Sequence, residues 1–168
     1  MATADSLSHF EQYEVSFGAG GVALLPFEEI GSAQNGYAYL NNGVNLCGMK
    51  DGDWRKEWVV IGHDTLTGDP IFIDSAVKEF PVYTAPHGDG IWVPVLISIL
   101  YTGFRRILLR LKHLSLGREH PVGLSENPMT LKEYNEFVRF ARIAGGLDDL
   151  FFWELLVADE EAGIEPEI

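Results

Sequence analysis

The sequence predicts an α+β fold, in which a twisted antiparallel or mixed sheet is flanked by helices and the C-terminal half is helical. Short β-branched and aromatic runs between residues 57 and 85 are separated by compact Gly/Asp turns, a pattern typical of antiparallel strands. After residue 94, apolar residues recur at steps of three or four, as in a helix. The 168 residues fit one domain, which we place at 1–158, followed by an acidic C-terminal tail at 159–168.

The N-terminal part begins with a segment that reads as an irregular, hairpin-like strand pair. Apolar residues from Glu14 to Leu25 are interrupted by the glycine-rich stretch 18–21. Pro26 suits the first position of a short helix. Asn35-Gly36 indicates a turn, and residues 37–40 are a strand candidate after it.

The middle of the chain predicts three strands, over residues 58–62, 70–74 and 82–85. Gly/Asp turns join them, which favours an antiparallel meander. We expect Trp58 and Phe72 to hold this sheet against the helices.

Three helices are predicted in the remainder. The first covers about 95–115, with Pro94 in its first turn. The second covers 130–144 and starts at a capping box formed by Thr130 and Glu133. The third runs from the N-cap candidate Asp148 to about residue 158.

The net charge of −13 argues against binding nucleic acid or an anionic membrane, both of which require clustered positive charge. It permits a basic partner, although solubility alone also explains an acidic protein. Five of the twelve basic residues fall within 105–118, a span without acids, whereas residues 148–168 hold eight acids and no Lys or Arg. Two arrangements stay open: these segments face each other, or the acids face a partner.

Features of targeting and redox chemistry indicate a cytoplasmic protein. Residues 1–5 have no basic region with an apolar stretch behind it, so no secretory signal is expected. The longest uncharged run, 90–104, is shorter than the roughly 20 residues that a membrane helix needs. A single cysteine, Cys47, forms no internal disulfide and is interpreted as a small buried hydrophobe.

We expect no active site, cofactor or metal. His63, Asp69, His87 and Asp89 fall on turns and strand ends, where ligands often bind, but their spacing matches no metal motif. An Asp in such a turn usually caps its own backbone. The glycines of 18–21 lack the preceding strand and following helix of a dinucleotide fingerprint.

The middle segment resembles the SUKH superfamily, which includes the yeast Smi/Knr regulators and many bacterial proteins. The likeness covers residues 57–104 and rests on the strand that ends at Gly62, on Gly68-Asp69 with the strand behind it, and on Pro81-Val82-Tyr83. It implies a sheet flanked by helices and a binding role, without shared catalytic residues. It also implies structural roles for four residues, as a core aromatic, a turn glycine, a turn acid and a sheet aromatic: Trp58, Gly68, Asp69 and Tyr83.

The resemblance implies an immunity protein that neutralises a polymorphic or contact-dependent toxin, such as a nuclease. We therefore expect a protein partner, contacted by exposed acids near turns and at the last helix: Asp51, Asp53, Asp89, Asp148 and Asp149. One alternative is a small-molecule-binding or enzymatic domain that uses the turns around His63, Asp69, His87 and Asp89. Another is a regulatory scaffold of the yeast type. The oligomeric state is left open.

Overall fold

The computed structural model describes residues 12–86, 88 and 90–166, and it confirms the α+β class. Six strands form one antiparallel sheet whose order in space is their order in the chain. The strands are β1 Tyr13–Phe17, β2 Gly20–Leu24, β3 Trp58–Asp64, β4 Pro70–Asp74, β5 Val82–Thr84 and β6 Val95–Ser98.

Five α-helices accompany the sheet in the described part of the chain, four of them in the C-terminal half. They are α1 Phe27–Ile30, α2 Tyr101–Leu114, α3 Pro121–Glu126, α4 Leu131–Gly145 and α5 Phe151–Leu156. Short 3-10 turns occur at Ser32–Gln34 and Glu160–Ala162. No helix in the described part of the chain is long and apolar enough to cross a membrane.

The predicted hairpin and the three predicted central strands are confirmed. The turn between β1 and β2 has Gly18 at φ 55°, a left-handed conformation that favours glycine. In β3, the pairing with β4 shifts between Val60 and Gly62, which marks a β-bulge. A Cβ on Gly62 would lie 2.3 Å from the carbonyl oxygen of Ala23, so the strands approach closely only because this residue has no side chain.

Two predictions about secondary structure are wrong. Residues 95–98 form β6 rather than the start of a helix, and α2 begins at Tyr101. The four-residue step from Leu96 to Leu100 fits a helical stripe, but the carbonyl of Ile97 accepts a hydrogen bond from the Trp153 indole at 2.9 Å in a strand that pairs with β5. Residues 37–40 form turns and isolated bridges instead of a strand.

The predicted start of α4 is correct, whereas the predicted start of α5 is wrong. Helix α4 has the predicted capping box between Thr130 and Glu133, and it ends at Gly146 in the left-handed conformation. Helix α5 begins at Phe151, not at Asp148. The Oδ1 atom of Asp149 accepts a hydrogen bond from the Phe151 backbone N–H at 2.9 Å, so Asp149 is the acid beside this helix start.

One face of the sheet packs against the helices and forms the helical core. Ile71, Ile73 and Val82 point to this side, where they join the buried α2 residues Phe104 and Ile107. Because side chains alternate along a strand, the residues between them point away from the helices.

The opposite face, which we call the loop face, is covered by the irregular segments 35–57, 85–86 and 90–94. Phe72 is fully buried there, with ring centroids 4.8 Å from Trp54 and 5.0 Å from Trp58. Tyr83 stacks on Phe72 with ring centroids 5.7 Å apart. The prediction that Trp58 and Phe72 hold the sheet to the helices is therefore wrong, because both belong to the cluster under the loops.

The start of the predicted acidic tail is folded. Asp159 and Ile164 pair through two backbone hydrogen bonds of 2.9 Å, and each is only 4% exposed. Ile164 belongs to the helical core. Residues 159–164, which we call the C-terminal turn, are thus anchored through the buried Asp159 and Ile164, while residues 160–163 between them are exposed.

Candidate functional site

A cleft of about 390 Å³ opens where four segments meet: the β1–β2 turn, the β3–β4 turn, helix α3, and helix α5 together with the C-terminal turn. Its walls are mostly apolar, and acidic side chains stand among them. The lining residues are Phe17, Gly18, Ala19, Gly20, Asp64, Leu66, Thr67, Pro121, Leu124, Ser125, Phe152, Leu155, Leu156, Ala158, Asp159, Glu160 and Glu161.

The β1–β2 turn forms one wall and is fixed against the helical half. The backbone N–H of Gly18 donates a 2.6 Å hydrogen bond to the carbonyl of Arg118. A Cβ on Gly18 would lie 3.0 Å from the Leu124 side chain, and one on Gly20 would lie 3.4 Å from that of Leu156. The turn thus packs close to α3 and α5, and the hydrogen bond to Arg118 ties it to the helical half.

The β3–β4 turn forms a second wall and presents an exposed leucine. The Oδ1 atom of Asp64 accepts hydrogen bonds from the backbone N–H groups of Leu66 at 2.6 Å and Thr67 at 2.9 Å. The N–H of Thr65 donates to the carbonyl of Gly21 at 3.0 Å, which joins this turn to the hairpin. Leu66 is 64% exposed on this fixed backbone, so it is held in solvent instead of the core.

The C-terminal turn places two glutamates at the rim. The buried Asp159 carboxylate accepts hydrogen bonds from the backbone N–H groups of Met129 at 2.8 Å and Ala162 at 3.2 Å. These bonds hold the 3-10 turn that carries Glu160 and Glu161. Ser125 donates to the Oε2 atom of Glu161 at 2.8 Å, so the rim also contacts α3.

The lining contains four carboxylates and no Lys, Arg, His or Cys. Within residues 12–86, 88 and 90–166, no basic side chain forms an ion pair with Asp64, Glu160 or Glu161. The rim therefore attracts cations, while Leu66, Phe152 and Leu155 offer apolar surface that a partner would cover. This arrangement suits an apolar side chain flanked by Lys or Arg.

The predicted partner-binding acids are not brought together. Asp51 and Asp53 lie in the segment that covers the loop face, where Asp53 accepts a 2.8 Å hydrogen bond from the Lys50 N–H. Asp148 and Asp149 lie between α4 and α5, on the helical side of the sheet. Asp89 falls outside the described residues. The structure thus separates these acids into at least two surfaces, and neither pair lines the cleft.

The residues of the alternative ligand site can be placed only in part, because His87 and Asp89 lie outside the described residues. His63 is exposed near the end of β3. Asp69 accepts a 2.8 Å hydrogen bond from the Thr67 hydroxyl, and Gly68 has φ 77°, so both take part in their turn. In the part of the chain described, no group of three or more His, Cys, Asp or Glu is arranged to hold a metal.

Several side chains of the loop face have raised pKa values. Burial raises the pKa of the Tyr37 phenol, and the Asp69 charge raises it further. Burial followed by the Asp74 charge does the same for Tyr83. The pKa of the Cys47 thiol is also raised, first by burial and then by Glu57, so the thiol stays protonated and a poor nucleophile at neutral pH.

The basic segment 105–118 is paired mainly with helix α4. Arg118 is buried and contacts Glu133 at 3.2 Å, and Arg110 lies 3.8 Å from Glu136. In these two ion pairs the basic segment contacts α4, not the acids of 148–166.

Sequence reasoning missed the cleft because four segments far apart in the chain assemble it. Two local signals were present. Leu66 is a lone apolar residue inside a polar turn, and Ile164 is the one large apolar side chain between Ala158 and Pro166. Both patterns mark a segment with a packing or binding role.

Compared with models of protein families, with curated proteins and with solved structures, the chain has no match. Its fold is α+β, and its described cleft has mostly apolar walls and a charged rim.

Proposed function

We propose that this chain is a non-catalytic binding protein that neutralises a basic toxin domain by holding part of it in the cleft. The observation that carries the proposal is a mostly apolar cleft whose charged lining residues are all acids. The resemblance of residues 57–104 to SUKH immunity proteins points to the same class of function. The partner is proposed to be a polymorphic or contact-dependent toxin of the nuclease type.

Charge supports a basic partner. A nuclease must carry a cationic surface, because it binds a polyanion by displacing counterions. The acids of the rim are complementary to such a surface, and the net charge of −13 adds long-range attraction. Complementary charge acts mainly on the association rate.

The apolar walls support slow dissociation. Leu66 and Leu155 are 64% and 56% exposed, and Phe152 is half-buried beside them. A partner side chain that enters the cleft removes this surface from water, and the polar rim shields the contact from solvent. The same residues thus form a small apolar centre with a charged border, as in many protein interfaces.

Two other functions suggested by the sequence have less support. A ligand site around His63 and Asp69 is weakened by the hydrogen bond that Asp69 accepts within its own turn. A regulatory scaffold would use the same cleft and differ only in its partner. Identification of the bound protein separates the scaffold from the immunity protein.

The test is binding kinetics against the toxin domain encoded beside this gene, with rescue of cells that express that toxin. Glu160→Lys combined with Glu161→Lys should lower the association rate by about tenfold, with a smaller effect on dissociation. Leu155→Asp should raise the dissociation rate by about tenfold or more, since it places a charge in the apolar centre. For the wild-type protein, raising the salt concentration should slow association because exposed charges are screened beyond about 8 Å at physiological ionic strength.

Met49→Asp is the matched control for Leu155→Asp, because Met49 is 86% exposed on the loop face, away from the cleft. If Met49→Asp weakened toxin binding as much as Leu155→Asp does, the toxin-binding site would lie outside the cleft. If the wild-type protein neither binds the toxin nor rescues the cells, the proposal fails for that toxin.

A further inference from the structure

The outer side of α2 and α4 carries a surface of opposite character to the cleft, which we call the basic face. Eight of the twelve Lys and Arg residues lie between Arg105 and Arg142, and the same span holds four acids. This span is therefore net positive in a chain whose total charge is −13. The basic face consists of Arg106, Arg110, Arg139, Phe140 and Ile143.

A shallow groove of about 460 Å³ runs along the basic face, and it is lined by Arg110, Glu136, Arg139, Phe140 and Ile143. The guanidinium of Arg106 lies 5.7 Å from the centre of the Phe140 ring, a cation–π distance. Arg110 is 3.8 Å from Glu136, whereas no ion pair within the described residues involves Arg106 or Arg139. Ile143 is 70% exposed, one helical turn after Arg139.

We propose that the basic face docks into the cleft of a second copy of this chain, so that copies associate head to tail. The cleft suits an apolar side chain flanked by cations. The basic face offers this combination in Ile143 and Arg139. The rim acids Asp64, Glu160 and Glu161 are the complementary charges. The two surfaces share no residue, so each copy keeps both available.

The contact is heterologous, because a different surface of each copy takes part. Such contacts produce closed rings when the rotation closes and open chains when it does not. The inference goes beyond the proposed function, although it uses the same cleft: a docked copy would occupy the place proposed for the toxin. Toxin binding and self-association would therefore compete.

Salt should affect self-association in two opposing ways. Two copies of charge −13 repel each other over a Debye length of about 30 Å at 0.01 M ionic strength, which falls to about 8 Å at 0.15 M. At about 1 M the length is roughly 3 Å, so the contact pairs themselves are weakened. Association should thus be strongest near physiological salt and weaker at both extremes, unlike the toxin complex, whose association slows steadily as salt rises.

Sedimentation velocity of the purified chain, without toxin, tests the inference. The wild-type protein should form larger species as its concentration rises at 0.15 M salt. Arg139→Glu alone and Glu160→Lys alone should each weaken association by about tenfold, since each variant opposes like charges. The double variant should associate again, and a mixture of the two single variants should form a mixed complex.

Lys78→Glu is the charge-matched control, because it changes an exposed lysine in the β4–β5 turn by the same amount. Circular dichroism verifies that every variant is folded. A wild-type protein that is monomeric at all concentrations and salts overturns the inference. Association that is weakened by Arg139→Glu but not by Glu160→Lys also overturns the inference. In that case the basic face would bind a surface other than the cleft. Neither result bears on toxin binding, which the kinetic experiment measures separately.

Discussion

At the scale of single residues, Glu133 has the most connected carboxylate among the described residues. It accepts hydrogen bonds from the Thr130 hydroxyl at 2.6 Å and from the Thr130 N–H at 3.0 Å. It also pairs with Arg118, whose buried guanidinium donates to the carbonyls of Leu114, Asn127 and Pro128. One side chain thus caps α4 and neutralises a buried cation between α2 and α4.

These contacts determine the direction in which the stability of the protein changes with pH. The hydrogen bond from Thr130 chiefly, and then Arg118, hold the pKa of Glu133 below its ordinary value of 4.5. A carboxyl whose pKa is lowered by folding stabilises the protein above its unfolded-state pKa, and this contribution is lost as the pH falls through the folded-state pKa. We expect Glu133→Gln to be less stable than wild type at pH 7, and the difference to shrink below pH 4.5.

Urea unfolding of both proteins across this pH range is the measurement. Glu79→Gln removes the same charge from an exposed turn and shows whether net charge alone accounts for the effect. If Glu133→Gln and wild type differed in stability by the same amount at pH 7 and at pH 3, the link between the lowered pKa of Glu133 and stability would be contradicted.

At the scale of elements, the C-terminal turn supports the cleft although it contains few residues. Ile164 is 4% exposed in the helical core, and the Asp159 carboxylate caps both the turn and the N–H of Met129. We expect Ile164→Ala to lower the free energy of unfolding by about 2–5 kcal/mol, the usual range for removing a buried isoleucine side chain.

Chemical denaturation measures this loss, and Ile143→Ala provides the matched control because Ile143 is 70% exposed. The control should change stability by about 0.5 kcal/mol or less. Equal stability of Ile164→Ala and wild type would mean that the C-terminal turn is not packed as described.

The elements predicted correctly were those with strong local signals. Thr130 and Glu133 fix the start of α4, Gly146 its end, and the β-branched runs fix β3 to β5. Strand β6 was missed because the spacing of Leu96 and Leu100 fits a helix. Its strand conformation depends on the pairing with β5 and on the hydrogen bond from Trp153, which are not visible in the local sequence. The cleft could not be predicted, because Leu66, Leu124 and Leu155 meet only after the sheet and helices have assembled.

At the scale of the whole molecule, a single sheet separates two apolar clusters. Ile71 and Ile73 belong to the helical core, while Phe72 between them belongs to the loop face. Strand β4 is therefore shared by both clusters. Three of the four tryptophans, Trp54, Trp58 and Trp92, report on the loop face, and Trp153 reports on the helical core.

Because β4 is shared, we expect both sides to unfold in one cooperative transition. Tryptophan fluorescence, which follows mainly the loop face, should coincide with far-ultraviolet circular dichroism, which follows mainly the helices. Phe72→Ala should lower the stability seen by both probes by about 3–5 kcal/mol, since Phe72 is fully buried. Leu131→Ala, at an exposed position of α4, should leave both curves nearly unchanged. Separate midpoints for the two probes would show that the loop face opens independently.

The order of the strands also bears on how the chain is made in the cell. Each strand pairs with the strand synthesised just before it. The sheet can therefore form strand by strand during translation, and its last strand ends at Ser98. The helices that cover its apolar side come afterwards, and α5 ends only at Leu156. At the usual 5–20 residues per second, roughly 3–12 s separate the end of the sheet from the end of α5, and the side carrying Ile71, Ile73 and Val82 is only partly covered until then. During that interval a nascent chain is a substrate for holdase chaperones, and production should depend on them more than the stability of the finished protein would suggest.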